Sequence, residues 1–203
     1  MTMNKSKQSR NRPIHKPLVL WTHVNTNNFF GNLGNIRFDY TTENPNGMMQ
    51  KGLKTEVSEE LKRMILKEWA WLIGTDKVVV AITNLGDAFF SDKSGWIYWL
   101  DTGSGELEKV ADSLGDFDEY LADPETSDVW LLSNLLNDLE AAGIHCQEHE
   151  VYSPKHHPLI GGEYKADNFY CIDALEHFSL SSSIHFQIKD LPDGTPIQFT
   201  ISR

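Results

Sequence analysis

Histidine and cysteine side chains gather in one stretch of the chain and are the first candidates for chemistry. Zinc prefers imidazole and thiolate ligands in a tetrahedral set, usually arranged as two close pairs. His145 and His149 would share a helical face, but Gly143 ends a predicted helix just before them, and in a strand they lie too far apart to chelate one ion. We therefore expect surface and core histidines, with no metal and no other cofactor. The candidate ligands are His145, Cys146, His149, His156, His157, Cys171 and His177.

A serine nucleophile is the second candidate chemistry. Ser104 lies between two glycines but lacks the Gly-x-Ser-x-Gly spacing of a strained nucleophile elbow. Serines at 179 and 181–183 are close in sequence to His177 and His185, yet neighbours in sequence do not make a catalytic triad. No glycine-rich phosphate loop with the required Lys-Ser or Lys-Thr occurs. We assign no catalytic residue and expect that the protein is not an enzyme; a metal-dependent enzyme using the His/Cys cluster at 145–177 is the alternative.

Charge is divided unevenly along the 203-residue chain, whose net charge is −11. Residues 1–50 contain six Lys or Arg and two acidic residues, a balance of +4, so the remainder has 12 basic and 27 acidic groups, a balance of −15. Such a body repels nucleic-acid phosphates and attracts basic proteins, although acidity can also serve solubility alone. Residues 1–16 are polar and basic without apolar periodicity, which predicts a disordered arm. A nucleic-acid-associated function through that arm is a second alternative.

The densest acidic cluster surrounds a short predicted helix in which Leu114, Phe117 and Leu121 share the buried face. A solvated helix face is the default interpretation of such a cluster, and a binding surface for a basic partner is the functional one. Tryptophan is favoured at protein interfaces, so we add one aromatic residue of the nearby strand as an exposed anchor. The candidate partner-binding residues are Asp112, Asp116, Asp118, Glu119, Asp123, Glu125 and Trp99.

The elements that position these residues are organised around residues 85–101. Two runs of aromatic and branched residues flank Asp92-Lys93-Ser94-Gly95, which is a hairpin-loop signature. Both faces of the second run are apolar, which predicts a central strand, and residues 78–82 supply a third strand. We predict an α+β fold: an antiparallel meander sheet packed by about three to four helices. The predicted helices are 55–72, 114–121, 124–143 and 180–191, and the further strands are 18–24, 36–40, 144–152, 169–172 and 196–201.

The length of the chain fits one large domain or two small ones. We expect a basic arm at 1–16, a region with one helix at 17–75, and an α+β domain at 76–203 that could form one globule with 17–75. No apolar run approaches the ~20 residues of a membrane span, and no secretory signal is recognisable, so we expect a cytoplasmic protein without a membrane partner. Cys146 and Cys171 could form one disulfide, but two reduced thiols are the favoured expectation without an export signal.

Four short motifs in residues 85–191 resemble, in the same order, those of a known family. The first is Leu-Gly-Asp-Ala-Phe-Phe at 85–90, followed by an aromatic strand that ends in Leu100-Asp101. Residues 150–154 and 158–168 resemble a Glu-x-Tyr, Pro, Leu-x-Gly-Gly and Asn pattern, and Glu176-His177 with a helix reaching Gln187 continues it. The family is the C-terminal domain of the Tdi immunity proteins, which neutralise DNase effectors delivered by type VI secretion.

The resemblance implies a bacterial immunity protein that acts by binding: it caps the active site of a cognate toxin and carries out no reaction. A nuclease that grips DNA is usually basic around its cleft, so an acidic inhibitor gains fast, salt-sensitive association from the contrast. In this interpretation an architectural role falls to Gly161, Gly162 and Tyr152. The acidic cluster is the expected toxin-binding surface.

Overall fold

The computed structural model describes residues 50–192 and 195. The arm predicted at 1–16 and the strands predicted at 18–24, 36–40 and 196–201 lie outside the described residues. None of the helices in the described part of the chain is long and apolar enough to cross a membrane.

An antiparallel sheet of five strands carries the fold, and each strand pairs with the next along the chain. Its strands are β1 (Leu53–Lys54), β2 (Val78–Thr83), β3 (Ala88–Ser91), β4 (Ile97–Asp101) and β5 (Glu106–Ala111). In the loop between β3 and β4, Gly95 has a φ of 82°, and the Asp92 carboxylate accepts hydrogen bonds from the N–H groups of Ser94 and Trp96. The predicted antiparallel meander and its hairpin loop are confirmed.

Helices cover both faces of the sheet. They are α1 (Glu59–Glu68), α2 (Ala70–Ile73), α3 (Leu114–Ala122), α4 (Pro124–Leu131), α5 (Ser133–Ala141) and α6 (Ala174–Ile188). Leu100 of β4 faces a core shared with α1, α2 and α6, whereas Ile97 and Trp99 face a second core shared with α3 and α4. Both faces of β4 are therefore buried, as its sequence predicts, and the α+β class is confirmed.

The helix predicted at 55–72 is broken in two at Trp69. The indole Nε1 of Trp69 donates to the carbonyl of Phe178 at 3.1 Å, and the Ser182 hydroxyl donates to the carbonyl of Glu68 at 2.7 Å. These two bonds with α6 satisfy the Trp69 indole N–H and the Glu68 carbonyl at the break, which would otherwise lack partners inside the protein. A partner distant in sequence thus sets the interruption.

The helix predicted at 124–143 is also broken, at Leu132. Leu132 has a φ of 47°, and the Asp128 carboxylate accepts a hydrogen bond from the N–H of Ser133 at 2.7 Å. The side chain of Asp128 thereby provides an acceptor for the start of the next helix, which offsets part of the cost of a left-handed leucine. The two breaks explain why residues 50–192 contain six α-helices where about three to four were predicted.

Helix α6 begins earlier than the sequence predicted. Asp173 caps it by accepting a hydrogen bond from the N–H of Leu175 at 2.8 Å, whereas the prediction placed the start near residue 180. The spacing of Leu180, Ile184, Ile188 and Leu191 predicted an apolar buried face; Ile188 is buried, but Leu180 is 45% exposed. The buried face is instead partly polar, and hydrophobic periodicity cannot reveal a polar face. Its buried residues are Ala174, His177, Phe178, Ser181, Ser182, His185 and Ile188.

A second sheet consists of β6 (Glu150–Pro154) and β7 (Phe169–Asp173), so the strand predicted at 169–172 is confirmed. The strand predicted at 144–152 begins only at residue 150, and residues 144–149 form a loop. This loop lies beside β7 because Cys146 and Cys171 form a disulfide, with Cα atoms 5.2 Å apart. The expectation of two reduced thiols is wrong.

Candidate functional site

The predicted acidic residues lie on or beside two consecutive helices, α3 and α4. Five of the six carboxylate residues are exposed and Asp116 is half-buried. Asp123 ends α3 and at the same time caps the N-terminus of α4. These six residues, which are neighbours in sequence, are called here the acidic surface: Asp112, Asp116, Asp118, Glu119, Asp123 and Glu125.

Two members of the acidic surface also hold helix ends. The hydroxyl of Ser113 accepts a hydrogen bond from the N–H of Asp116 at 3.1 Å and donates to the Asp116 carboxylate at 2.9 Å. The Asp123 carboxylate accepts hydrogen bonds from the side chain and the N–H of Thr126, and these bonds hold its pKa below the ordinary value. Asp116 and Asp123 thus stabilise the local structure, as side chains at helix N-termini commonly do.

Three other members keep their carboxylates available. Asp118, Glu119 and Glu125 make no side-chain hydrogen bond or ion pair with any residue of 50–192 or with 195. Partial burial beside the core raises the pKa of Asp118. Because a charge without a local partner adds most to the outward field, these three side chains are the ones through which the surface would attract a basic partner.

Trp99 is not part of this surface. It is 4% exposed and belongs to the core under α3 and α4, so the expectation that Trp99 is an exposed anchor is wrong. Trp96, which directly precedes β4, is 41% exposed. The Lys109 ammonium lies 3.4 Å from the centre of the Trp96 ring and also pairs with Asp112. Trp96 is therefore connected to the edge of the acidic surface through one lysine.

The predicted metal ligands are not assembled. His145, His149 and His156 are exposed, and the two cysteine sulfurs are bonded to each other. Within the described residues, no three of the seven candidate ligands place their ligand atoms within 4.8 Å of one another. The structure therefore gives no support to a metal-dependent enzyme built on these seven side chains.

A buried polar network does occur where the β2–β3 and β4–β5 turns meet α6. Asp87 accepts hydrogen bonds from the N–H and the hydroxyl of Thr102 at 3.0 and 3.2 Å. The same hydroxyl lies 3.2 Å from Nε2 of His177, whose Nδ1 lies 3.0 Å from the Ser153 hydroxyl. His185 lies 2.9 Å from the Thr102 carbonyl through its Nε2, so that nitrogen carries a proton. The network ties two turns and β6 to one helix.

The histidines of this network are neutral at pH 7. Burial lowers the pKa of His177 to about 4 and also lowers the pKa of His185. Burial together with the nearby His185 lowers the pKa of His157 to about 3, and the rings of His157 and His185 lie 5.4 Å apart. Charged imidazoles would be expensive here, because little water reaches them.

The Ser153 hydroxyl lies within hydrogen-bond distance of His177, which is how a nucleophile and its general base are arranged in some enzymes. Both are buried, at 7% and 6% exposure, so a substrate would not reach the hydroxyl in this conformation. The sequence analysis missed this pair because Ser153 and His177 are 24 residues apart. In the structure Gly86 lies against the same ring, since a Cβ on Gly86 would lie 2.2 Å from Nε2 of His177.

Comparison with known proteins finds a family match over residues 111–185, which holds most of these features. Residues 111–185 match the family T6SS immunity protein Tdi1, C-terminal. This confirms the resemblance inferred from the sequence. The Tdi1 C-terminal match contains the whole acidic surface, the disulfide, and His157, His177 and His185. Asp87, Trp96 and Thr102 precede it.

Comparisons with curated proteins and with solved structures add little to the family match. No curated protein matches the chain. A solved structure, "Crystal structure of Atu4351 from Agrobacterium tumefaciens", aligns with 66% of this chain and 67% of its own, at 18% identity and a TM-score of 0.48.

Proposed function

We propose that the protein is a cytoplasmic immunity protein that binds and inhibits a cognate toxin, and that this toxin is a basic nuclease. The observation that carries the proposal is the Tdi1 C-terminal match over residues 111–185, because the name of that family describes an immunity protein of type VI secretion. An immunity protein works by occupying its effector, so no catalytic residue is assigned. The inhibitor covers the active site of the toxin and thereby protects the cell that makes both.

The acidic surface is the proposed toxin-binding site. It lies wholly within the Tdi1 C-terminal match, and the unpaired carboxylates of Asp118, Glu119 and Glu125 supply its outward charge. Trp96 is proposed as an aromatic anchor at its edge in place of Trp99, since an exposed tryptophan is a common centre of binding energy. A toxin that binds DNA presents the complementary positive charge.

Reversing the three unpaired carboxylates tests this site. The triple variant D118K, E119K, E125K should slow association with a catalytically inactivated toxin by about tenfold or more at low salt, because long-range attraction is replaced by repulsion. The dependence of the association rate on ionic strength should flatten. Stopped-flow fluorescence across a salt series measures both quantities.

The matched control makes the same change in net charge at positions outside the acidic surface. Glu60, Asp138 and Glu176 are exposed carboxylates on α1, α5 and α6, and their triple reversal to lysine should alter association much less. Equal slowing by both triple variants would mean that only net charge matters, and would contradict a localised site. Failure of the unchanged protein to protect cells that express the toxin would contradict the proposed function itself.

A further inference from the structure

Three metal-ligating side chains lie together at the corner between the 144–149 loop and the second sheet. The sulfurs of Cys146 and Cys171 and a carboxylate oxygen of Glu150 are all within 4.8 Å of one another, and all three residues are half-buried. Glu150 was not among the ligands considered from the sequence, where carboxylates are too frequent to single one out. The cluster has no part in the proposed toxin-binding site.

The backbone explains why these three meet. Tyr152 pairs with Cys171 and Glu150 pairs with Asp173 across β6 and β7. Residues two apart on a strand point to the same face, so Glu150 and Cys171 are diagonal neighbours on one side of the ladder. A turn brings Cys146 over that side: the N–H of Glu150 donates to the Gln147 carbonyl at 3.0 Å. The loop and the sheet thus converge without help from a ligand.

We propose that reduction of the Cys146–Cys171 disulfide converts this corner into a zinc site, with both cysteine sulfurs and the Glu150 carboxylate as ligands. In the reduction, two molecules of a small-molecule thiol supply two electrons and two protons and become one disulfide, while the protein gains two thiols. Zinc then displaces both thiol protons to solvent, because the thiolate is the ligand form.

The chemistry of the three groups fits zinc. Thiolates and a carboxylate are established zinc ligands, and three protein ligands leave the fourth tetrahedral position to water. Zinc–sulfur bonds of about 2.3 Å require the sulfurs to stand about 3.8 Å apart, which the cleaved pair reaches by rotating its side chains. The Gln147 N–H donates to one oxygen of Glu150 at 2.8 Å, so the carboxylate is already oriented by its neighbour.

The 144–149 loop can therefore be linked to β7 in two alternative ways. In the oxidised protein the disulfide ties the 144–149 loop to β7, and in the reduced protein the zinc ion does so through the same two sulfurs. The loop then keeps its place in a reducing compartment, where a disulfide alone would not persist.

Metal titration of the full-length, untagged protein tests the proposal. After reduction with a phosphine and its removal, the protein should bind one equivalent of Co²⁺ with a thiolate-to-cobalt absorption band, and Zn²⁺ should displace it. The oxidised protein should show no such band. E150Q should weaken zinc binding by about tenfold or more, while E148Q, which changes an exposed neighbour, should leave it unchanged.

C146S and C171S should each abolish the tight site, with circular dichroism used to check that the fold persists. If the reduced protein takes up no cobalt or zinc, or if E150Q binds as tightly as the unchanged protein, the site as proposed does not exist. Zinc binding that survives in the C146S, C171S double variant would assign the metal to exposed histidines and would equally overturn the proposal.

Discussion

Acidification from pH 7 to pH 4 should lower the free energy of unfolding by about 3 kcal/mol through His177 alone. His177 has a folded-state pKa of about 4 and His157 one of about 3, against an ordinary value near 6.5. Each unit between folded and unfolded pKa corresponds to about 1.4 kcal/mol once the pH has fallen through it. Two and a half units for His177 therefore amount to about 3 kcal/mol at pH 4.

The direction follows from which state binds the proton. Above about pH 6.5 these histidines are neutral in both the folded and the unfolded chain, so they make no contribution to the pH dependence of stability. Below that pH the unfolded chain takes up protons while the buried rings do not, and the folded state loses stability. The loss continues until the folded-state pKa values of about 4 and about 3 are reached. Asp101 opposes the shift in His157 and His185.

Urea denaturation at several pH values between 7 and 4 measures the effect. The slope of stability against pH reports how many more protons the unfolded chain binds. H177Q should reduce that slope by up to one proton, since glutamine keeps hydrogen-bonding groups in place and does not titrate. H149Q removes an exposed histidine and should leave the slope as it is. If H177Q leaves the slope unchanged, His177 does not stay neutral in the folded protein while the unfolded chain takes up its proton.

The sheet was predictable because its signals are local. The alternation of residues 96–100 and the Asp92–Gly95 loop identify a strand covered on both faces and the turn before it, and the structure has both. The apolar spacing of Phe117 and Leu121 likewise predicts α3, and both side chains are buried. A repeat of apolar residues every two positions indicates the strand, and a repeat every 3.6 positions indicates the helix.

The helix breaks and the start of α6 were not predictable from local pattern because distant partners cause them. The break at Trp69 depends on hydrogen bonds to Phe178 and from Ser182, more than a hundred residues away. The buried face of α6 includes two histidines that hydrogen bonds make tolerable in a core. From sequence alone a polar residue is predicted to be exposed, unless its hydrogen-bond partner is known.

The candidate site divides in the same way. Charge density along residues 112–125 is visible in the sequence, and the structure exposes most of those carboxylates. The choice between Trp96 and Trp99 was not visible, because both faces of the predicted strand are apolar in sequence; in the structure Trp99 lies within β4 and is 4% exposed, whereas Trp96 precedes β4 and is 41% exposed. Pairing of Cys146 with Cys171 depends on the register of β6 and β7, which spacing alone does not fix.

Replacing Gly86 by alanine should destabilise the protein by about 3 kcal/mol or more. Gly86 has a φ of 80°, which costs an L-residue about 1–2 kcal/mol. In addition, the new Cβ would lie 2.2 Å from Nε2 of His177, so the ring must move. Its movement breaks the contacts to Thr102 and Ser153, and each buried polar group left unsatisfied costs about 1–3 kcal/mol.

Gly95 separates the two causes. Its φ of 82° is almost the same, but a Cβ there meets nothing within 4 Å, so G95A should cost only the backbone part. Urea denaturation of G86A and G95A at pH 7 gives the difference that belongs to His177. Combining G86A with H177A should cost less than the sum of the two single changes, because the clash disappears with the ring. Equal losses in G86A and G95A would instead mean that the turn holding Gly86 shifts freely, and that the buried network does not fix α6 against the sheet.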